Sequence, residues 1–425
     1  MKYKKSEQLL GRALKSIPLA SQTFSKSLTT YPRGVSPFFI EKGKGSKVWD
    51  VDGNKYIDFV NSLAAVTLGY CNNTVDEAVK KQMKNGVTFS LPHTLEMEVA
   101  EKLINIIPCA EKVRFAKNGT DATSGAIRIA RAYTDNEHIA VCGYHGWQDW
   151  YIGSTPRDLG VPKSVKKLTH TFEYNNIESL KQIFQKQELA CVIMEPMNIE
   201  YPKDGFLDKV KELVHKNNAL LIFDETVTGF RYSLGGAQEF FGVTPDLATF
   251  GKGMANGYPL SAVVGSNEVM QKIEDIFFSG TFGGESLSLA AAKAVINEYK
   301  DKDVISHITV LGEYLIKKLL EFIDSEGLSK IFAVSGHPSW SFLQVKPQEN
   351  YKVLEIKTFL LQEFFKRGIL VLSSHNMSFS HTKEDVDKLL ETYHEVLPLV
   401  KRHIEKGDLL ENTQGDILQP LFKVR

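Results

Sequence analysis

Short, unbroken apolar runs that end in polar residues recur through the middle of the chain. Ile139-Ala140-Val141-Cys142 leads to Gly143-Tyr144-His145-Gly146, Ala190-Cys191-Val192-Ile193-Met194 leads to Glu195-Pro196, and Ala219-Leu220-Leu221-Ile222-Phe223 leads to Asp224-Glu225. Runs this short and this apolar predict strands buried on both faces, as in a parallel sheet. Helical patterns separate them, from Val75 to Lys84, Asp121 to Tyr133, and in a small-residue stretch from Ser286 to Val295. Nearer the start, Phe38 to Phe59 alternates around glycine turns and predicts a small antiparallel meander in which Asp52-Gly53 is turn chemistry only. From about Asp303, helical segments (Val304 to Ser325, Tyr351 to Arg367, Lys383 to about Ile404) alternate with strand-like pieces (Trp340 to Val345, Ile369 to Leu372). The reading is an α/β protein with three segments: an N-terminal segment and part of a small domain over 1–65, a large domain with a mostly parallel central sheet over 66–300, and a C-terminal α+β small domain and tail over 301–425.

Composition narrows the function more than the fold. The 425 residues carry 51 Lys and Arg against 51 Asp and Glu, with 43% hydrophobic and 24% charged residues. That balance gives no electrostatic case for nucleic acid or a membrane surface, so small-molecule chemistry is the default. The start leads into an amphipathic stretch and no run approaches a membrane span, which predicts a cytoplasmic protein. Cys71, Cys109, Cys142 and Cys191 form no Cys-x-x-Cys and are expected to be buried free thiols. No metal site is expected.

Candidate chemistry collects at the ends of the apolar runs, because ligands of an open parallel sheet bind beyond the carboxyl ends of its strands. Lys252, in Phe250-Gly251-Lys252-Gly253-Met254, reads either as a solvated loop lysine or as a Schiff-base lysine whose amine is made nucleophilic by desolvation. A phosphate loop is excluded by spacing, since Asp246 stands where its first glycine belongs and Gly253 where its Ser or Thr belongs. Asp224 reads as a cap or turn residue, or as the carboxylate that keeps a pyridinium nitrogen protonated in pyridoxal phosphate (PLP) chemistry. In Lys117-Asn118-Gly119-Thr120-Asp121-Ala122 a strand turns into a helix, which suits either a phosphate cradle at Gly119 and Thr120 or plain N-capping.

Together these segments resemble the class III (ω-amino acid type) PLP-dependent aminotransferases, and within them the glutamate-1-semialdehyde 2,1-aminomutase branch, from about Val48 to Leu397. In character the chain is similar to aminotransferases of bacterial surface-polysaccharide gene clusters. The resemblance implies a fold type I PLP-dependent transferase with pyridoxal 5'-phosphate as cofactor. It implies Lys252 as the Schiff-base lysine, Asp224 at the ring nitrogen, and Asn118, Gly119 and Thr120 at the phosphate. Tyr144 would stack on the ring with His145 completing that motif, Glu195 would lie near the cofactor, and Thr226 would be the β-branched residue behind the ring. It also implies a homodimer in which Thr281 reaches the partner's cofactor phosphate, so that each site needs two chains. The family's asparagine at the ring hydroxyl corresponds by count to Glu200, with Asn198 two residues earlier, and His93 falls in a loop that approaches the neighbouring site or caps a helix.

Three departures bear on the reaction. The aminomutases' Ser-x-x-Arg element, whose arginine holds a substrate carboxylate, corresponds to Gln22-Thr23-Phe24-Ser25-Lys26, which has no arginine, and lysine lacks the planar two-point fork. Their glutamate before the C-terminal helix is missing from Leu372-Ser373-Ser374-His375-Asn376-Met377, and Trp147 replaces a histidine. The expectation is intermolecular, ping-pong transamination from an amino donor, L-glutamate, to a carbonyl of a small, sugar-like acceptor. The alternatives are the intramolecular 2,1-aminomutase and a catalytically silent binding fold.

Overall fold

The computed structural model describes residues 2–420 and divides them into two compact units, 2–72 with 306–420 and 73–305. In the unit built from the chain ends, β1 (Ile40–Lys44), β2 (Lys47–Asp50) and β3 (Lys55–Asp58) form the antiparallel meander. Asp52 does more than turn the chain, which corrects the reading from sequence. Its carboxylate accepts the backbone N–H groups of Lys5 at 2.7 Å and Ser6 at 2.8 Å, capping a helix (Lys4–Ala13) whose own N-cap, Tyr3, makes no side-chain cap bond.

The other unit carries the site. Its sheet comprises β4 (Lys112–Ala116), β5 (His138–Cys142), β6 (Thr169–Thr171), β7 (Leu189–Met194), β8 (Leu220–Asp224), β9 (Leu247–Phe250) and β10 (Ser261–Gly265), in the order β4-β10-β9-β8-β7-β5-β6. Strands β6, β5, β7, β8 and β9 pair parallel, while β10 runs antiparallel to both its neighbours. Every residue of β7, β8, β9 and β10 is buried, which explains their unbroken apolar character. Ala122, Ala126, Ile129 and Ala130 of the Gly119–Thr134 helix cluster with Ile139, Ile193, Ile222, Leu247 and Val263 of the strands. The small side chains let that helix lie close to the sheet, and each buried Ile or Leu contributes about 1.5–3 kcal/mol. Glu225, next to Asp224, is fully buried and accepts bonds from the Ala237 N–H, the Gln238 N–H at 3.0 Å and the Thr228 hydroxyl at 2.8 Å, tying down the loop after β8.

In the chain-end unit, β11 (Phe332–His337), β12 (Trp340–Val345) and β14 (Ser374–Asn376) form an antiparallel sheet, and β13 (Ile369–Leu370) lies parallel beside β3. Leu315, Leu319, Ile356, Phe359, Leu389 and Val396, from three long helices, share one core with Tyr56 and Phe59. The tail after Gly407 returns to this core, where the Gln414 N–H donates to Gln362 Oε1 at 2.6 Å and the Leu418 N–H to Thr358 Oγ1 at 3.0 Å. All four cysteines are free, but Cys71 is exposed where burial was expected. Among the described residues no helix is long and apolar enough to cross a membrane.

One turn in this unit is strained. Asn61, Ser62, Leu63 and Ala64 all have left-handed backbones, with φ of 46°, 51°, 60° and 67°. Each such non-glycine residue costs roughly 1–2 kcal/mol. The buried Asp58 holds the turn by accepting the N–H groups of Val60 at 2.7 Å and Asn61 at 3.0 Å, and Asn376 Nδ2 donates to the Val60 carbonyl at 2.7 Å while Asn61 Nδ2 donates to the Asn376 carbonyl. Asn376→Ala removes the bond from its Nδ2 to the buried Val60 carbonyl, which then keeps only the Ala64 N–H at 3.1 Å, so the variant is expected to lower stability by about 1 kcal/mol, whereas Ser62→Gly, which relieves strain, should not lower it. Denaturant unfolding reads both, and a larger loss in Ser62→Gly than in Asn376→Ala would contradict this account of the turn.

Candidate active site

The carboxyl ends of the strands bring most of the candidate residues to one edge. Asp224 is the last residue of β8, Glu195 follows β7, Tyr144 and His145 follow β5, and Lys252 lies two residues beyond β9. Gly119 opens the helix after β4, and Ser261 begins β10 opposite Ala116. This is the edge at which ligands of open α/β sheets bind.

Asp224 is 5% exposed and its carboxylate is almost fully engaged. Oδ1 accepts the Thr226 hydroxyl at 2.6 Å, the Thr226 N–H at 3.1 Å and the Thr249 hydroxyl at 3.1 Å, and Oδ2 lies 2.9 Å from His145 Nδ1. The other nitrogen of His145 lies 3.1 Å from the Cys142 carbonyl, so both ring nitrogens face acceptors, and both bonds form together only when the ring carries two protons. Burying a carboxylate costs several kcal/mol, but hydrogen bonds to a charged group contribute about 1.5–3 kcal/mol each, and here there are four. The second effect wins: burial acts to raise the carboxyl, but His145 and Thr226 hold it below the usual carboxylate range, and Asp224 remains an anion.

Lys252 and Glu195 keep some accessible surface yet sit among buried groups. Burial lowers the Lys252 amine below the usual lysine value; Asp224 and Glu195 oppose that shift and Arg231 assists it. Among the described residues the Lys252 side chain makes no hydrogen bond or ion pair. Burial and then the charge of Asp224 raise the Glu195 carboxyl, against the bonds that its Oε2 accepts from the Tyr144 N–H at 3.1 Å and Asn198 Nδ2 at 2.9 Å. Of the two residues counted from Glu195-Pro196, Asn198 therefore faces the cluster, while Glu200 is exposed and paired with Lys203 at 2.9 Å.

The turn into the Gly119–Thr134 helix fits a phosphate. The N–H groups of Asn118 and Lys117 donate to Asp121 Oδ2 at 2.8 and 3.3 Å, the Asn118 carbonyl accepts Ser261 Oγ at 2.7 Å, and the N–H groups of Gly119 and Thr120 have no protein acceptor among the described residues. Two free donors at the positive end of a 16-residue helix make a ready anion site. A Cβ on Gly119 would stand 3.0 Å from Thr226 Cγ2, and one on Gly251 would stand 3.4 Å from the same atom. Thr226 thus sits between the helix start and the lysine turn, and its hydroxyl supplies a bond to Asp224 that a purely aliphatic β-branched side chain could not. The anionic Asp224, the unpartnered Lys252 and this cradle together fit pyridoxal phosphate.

Of the remaining candidates, Tyr144 is half exposed and meets Tyr151 edge-on at 5.6 Å, and the exposed side chain of Asn118 donates its Nδ2 to Asp121 Oδ2 at 3.3 Å, bracing the turn from outside. His93 caps the Thr94–Ile104 helix, accepting the Leu95 N–H at 3.2 Å and donating its own N–H to Glu96 at 2.9 Å. Thr281 is exposed and lines a cavity of about 370 Å³ with Lys117, Asp121, Ser124, Arg128 and Gln148, whose lining includes neither Asp224 nor Lys252. Sequence reasoning missed Thr249, Ser261 and the fully buried Arg231. Thr249 was legible in principle, because its strand pairs directly with Asp224.

The comparisons agree with this geometry. Residues 30–397 match the model of the family described as aminotransferase class-III. A 3-aminobutyryl-CoA aminotransferase of Cloacimonas acidaminovorans is 35% identical over 414 residues, 95% of this chain and 99% of that one. A glutamate-1-semialdehyde 2,1-aminomutase of Archaeoglobus fulgidus is 33% identical over 430 residues, 93% of this chain and 100% of that one. Among solved structures, an ω-transaminase from Sphaerobacter thermophilus superposes with a TM-score of 0.85 at 26% identity (94% and 99% covered), and the FumI protein of Sphingopyxis sp. MTA144 in a PLP form with 0.87 at 27% (95% and 98%). With a buried anionic aspartate, a partly buried lysine and an anion cradle at one sheet edge, the chain belongs to the class III aminotransferases, fold type I enzymes that depend on pyridoxal phosphate.

Proposed function

We propose that this enzyme transfers an amino group between two small molecules in two half-reactions, with L-glutamate as donor and the carbonyl of a hydroxylated, sugar-like compound as acceptor. The observation that carries the reading is the pairing at one edge of the ionised Asp224 with Lys252, whose amine is depressed toward its neutral form. When bound, pyridoxal phosphate supplies an electron sink for negative charge developing at the donor's α-carbon. Asp224 holds the ring nitrogen protonated, with His145, Thr226 and Thr249 fixing the carboxylate. The N–H groups of Gly119 and Thr120 would hold the phosphate, and Tyr144, Thr226, Glu195 and Asn198 would contact the rest of the group. Lys252 would take the proton from the donor's α-carbon as general base and give it up again as general acid.

A second reading, intramolecular aminomutation, is favoured by the names of relatives such as the Archaeoglobus protein. The absence of arginine from Gln22–Lys26 favours intermolecular transfer. The name of the Cloacimonas relative adds a second acceptor class, a carbonyl set near a CoA thioester.

The reading includes a homodimer. Phe89, Leu91, Phe277 and Phe282 are 45%, 78%, 81% and 59% exposed. Their two loops adjoin, since Ser286 Oγ donates to the Val87 carbonyl at 2.9 Å and a Cβ on Gly284 would meet Glu96. Exposed apolar surface of this kind marks an interface, here for a second copy that places Thr281 at its partner's phosphate.

Three outcomes are expected. In the reconstituted enzyme L-glutamate converts the lysine-bound cofactor absorbance band to the pyridoxamine form and a keto-sugar or 3-oxoacyl-CoA reverses it, whereas Lys252→Ala shows no such band; turnover of glutamate 1-semialdehyde without a second substrate, and no response to glutamate, would select the aminomutase instead. Asp224→Asn, which removes the charge, is expected to lower kcat at least about 10²-fold, and a loss below about threefold would reject the assigned role. If Thr281 acts across the interface, mixing inactive Lys252→Ala and Thr281→Ala chains restores about a quarter of wild-type activity, from one intact site in each mixed dimer; no recovery would place Thr281 in its own chain's site.

A further inference from the structure

Lys252 has a left-handed backbone, with φ of 42°, in a turn that also contains Asn256 at 46°. A lysine gains nothing locally from that conformation, so the surroundings must impose it. The residues on either side of Lys252 show how. Two positions before it, Phe250 packs against Phe230 with ring centroids 5.6 Å apart, and a Cβ on Gly229 would stand only 2.4 Å from the Phe250 ring, so the contact is close. One position after it, the Gly253 carbonyl accepts the hydroxyl of Tyr299 at 2.7 Å. Tyr299 comes from the Ser286–Asp301 helix, is 3% exposed, and stacks on the same Phe230 at 5.8 Å with an interplanar angle of 20°. Phe250, Phe230 and Tyr299 thus form one buried aromatic column that grips the chain before and after the lysine.

We propose that Tyr299 is a positioning residue for Lys252: its hydrogen bond to Gly253, set by the stack on Phe230 and Phe250, holds the lysine turn in its left-handed form and so fixes where the amine is presented. This rests on the reading of Lys252 as the catalytic lysine. Tyr299→Phe keeps the ring and its stack but removes the bond to the carbonyl, which isolates the positioning effect from packing.

The test compares wild type, Tyr299→Phe and Lys252→Ala. In cofactor-free Tyr299→Phe, amide hydrogen exchange over the peptide containing residues 251–256 is expected to accelerate about five- to tenfold, in line with one lost hydrogen bond. In the reconstituted variant, the rate of capture of added pyridoxal phosphate and kcat both fall about tenfold, while KM for the amino donor and the thermal midpoint stay at wild-type values. Wild-type exchange and kcat in Tyr299→Phe would overturn the proposal, as would a lowered thermal midpoint with unchanged kcat per folded molecule, which marks a merely structural tyrosine. If instead Lys252→Ala retains the lysine-bound cofactor band, the reading of Lys252 itself fails.

Discussion

A buried negative charge at the end of a strand is the constraint that the rest of the site answers. Asp224 sits where every neighbouring strand is closed to solvent, and an uncompensated carboxylate there would take up a proton. Thr226, Thr249 and His145 prevent this with four hydrogen bonds, two from Thr226 in the loop after β8, one from Thr249 on β9 and one from His145 in the loop after β5. His145 in turn needs the Cys142 carbonyl, and its own carbonyl accepts the Thr123 hydroxyl at 2.8 Å, so the charge is anchored back to the helix that offers the phosphate cradle. The same interactions that keep Asp224 ionised therefore fix its distance from the free N–H groups at the start of the Gly119–Thr134 helix.

The second element, Lys252, is governed by the opposite rule. Its cation is disfavoured by burial, and the carboxylates of Asp224 and Glu195 only partly offset this. A lysine poised toward neutrality beside a carboxylate poised toward ionisation is the division of labour that proton shuttling at an α-carbon needs. Burial first, and then the charge of Asp224, raise the Glu195 carboxyl, so a second negative charge in the same pocket is disfavoured.

The strand ends were legible because burial on both faces forces unbroken apolar runs, and each run stops where polar chemistry begins. The phosphate turn was legible for a related reason: a glycine at a strand-to-helix junction is visible, and Gly119 is needed where a side chain would press on Thr226. What the sequence hid were long-range completions. Asp52 reaches back to cap a helix 47 residues earlier, and Tyr299 reaches Gly253 across 46 residues, with no local pattern to announce either. The left-handed turn over Asn61–Ala64 contains no glycine, so local preference argues against it, and distant partners such as Asn376 help to impose it. Thr226 was visible as a β-branched residue, but its hydroxyl's purpose appears only once Asp224 is seen two residues away on the same turn.

The most direct test of this account is the protonation state of the cofactor's ring nitrogen, read from the ¹⁵N chemical shift of labelled pyridoxal phosphate bound to the enzyme. An ionised Asp224 predicts a protonated nitrogen in wild type and a deprotonated one in Asp224→Ala at the same pH. An unprotonated nitrogen in wild type, or the same shift in both proteins, would contradict the claim that this buried carboxylate organises the site.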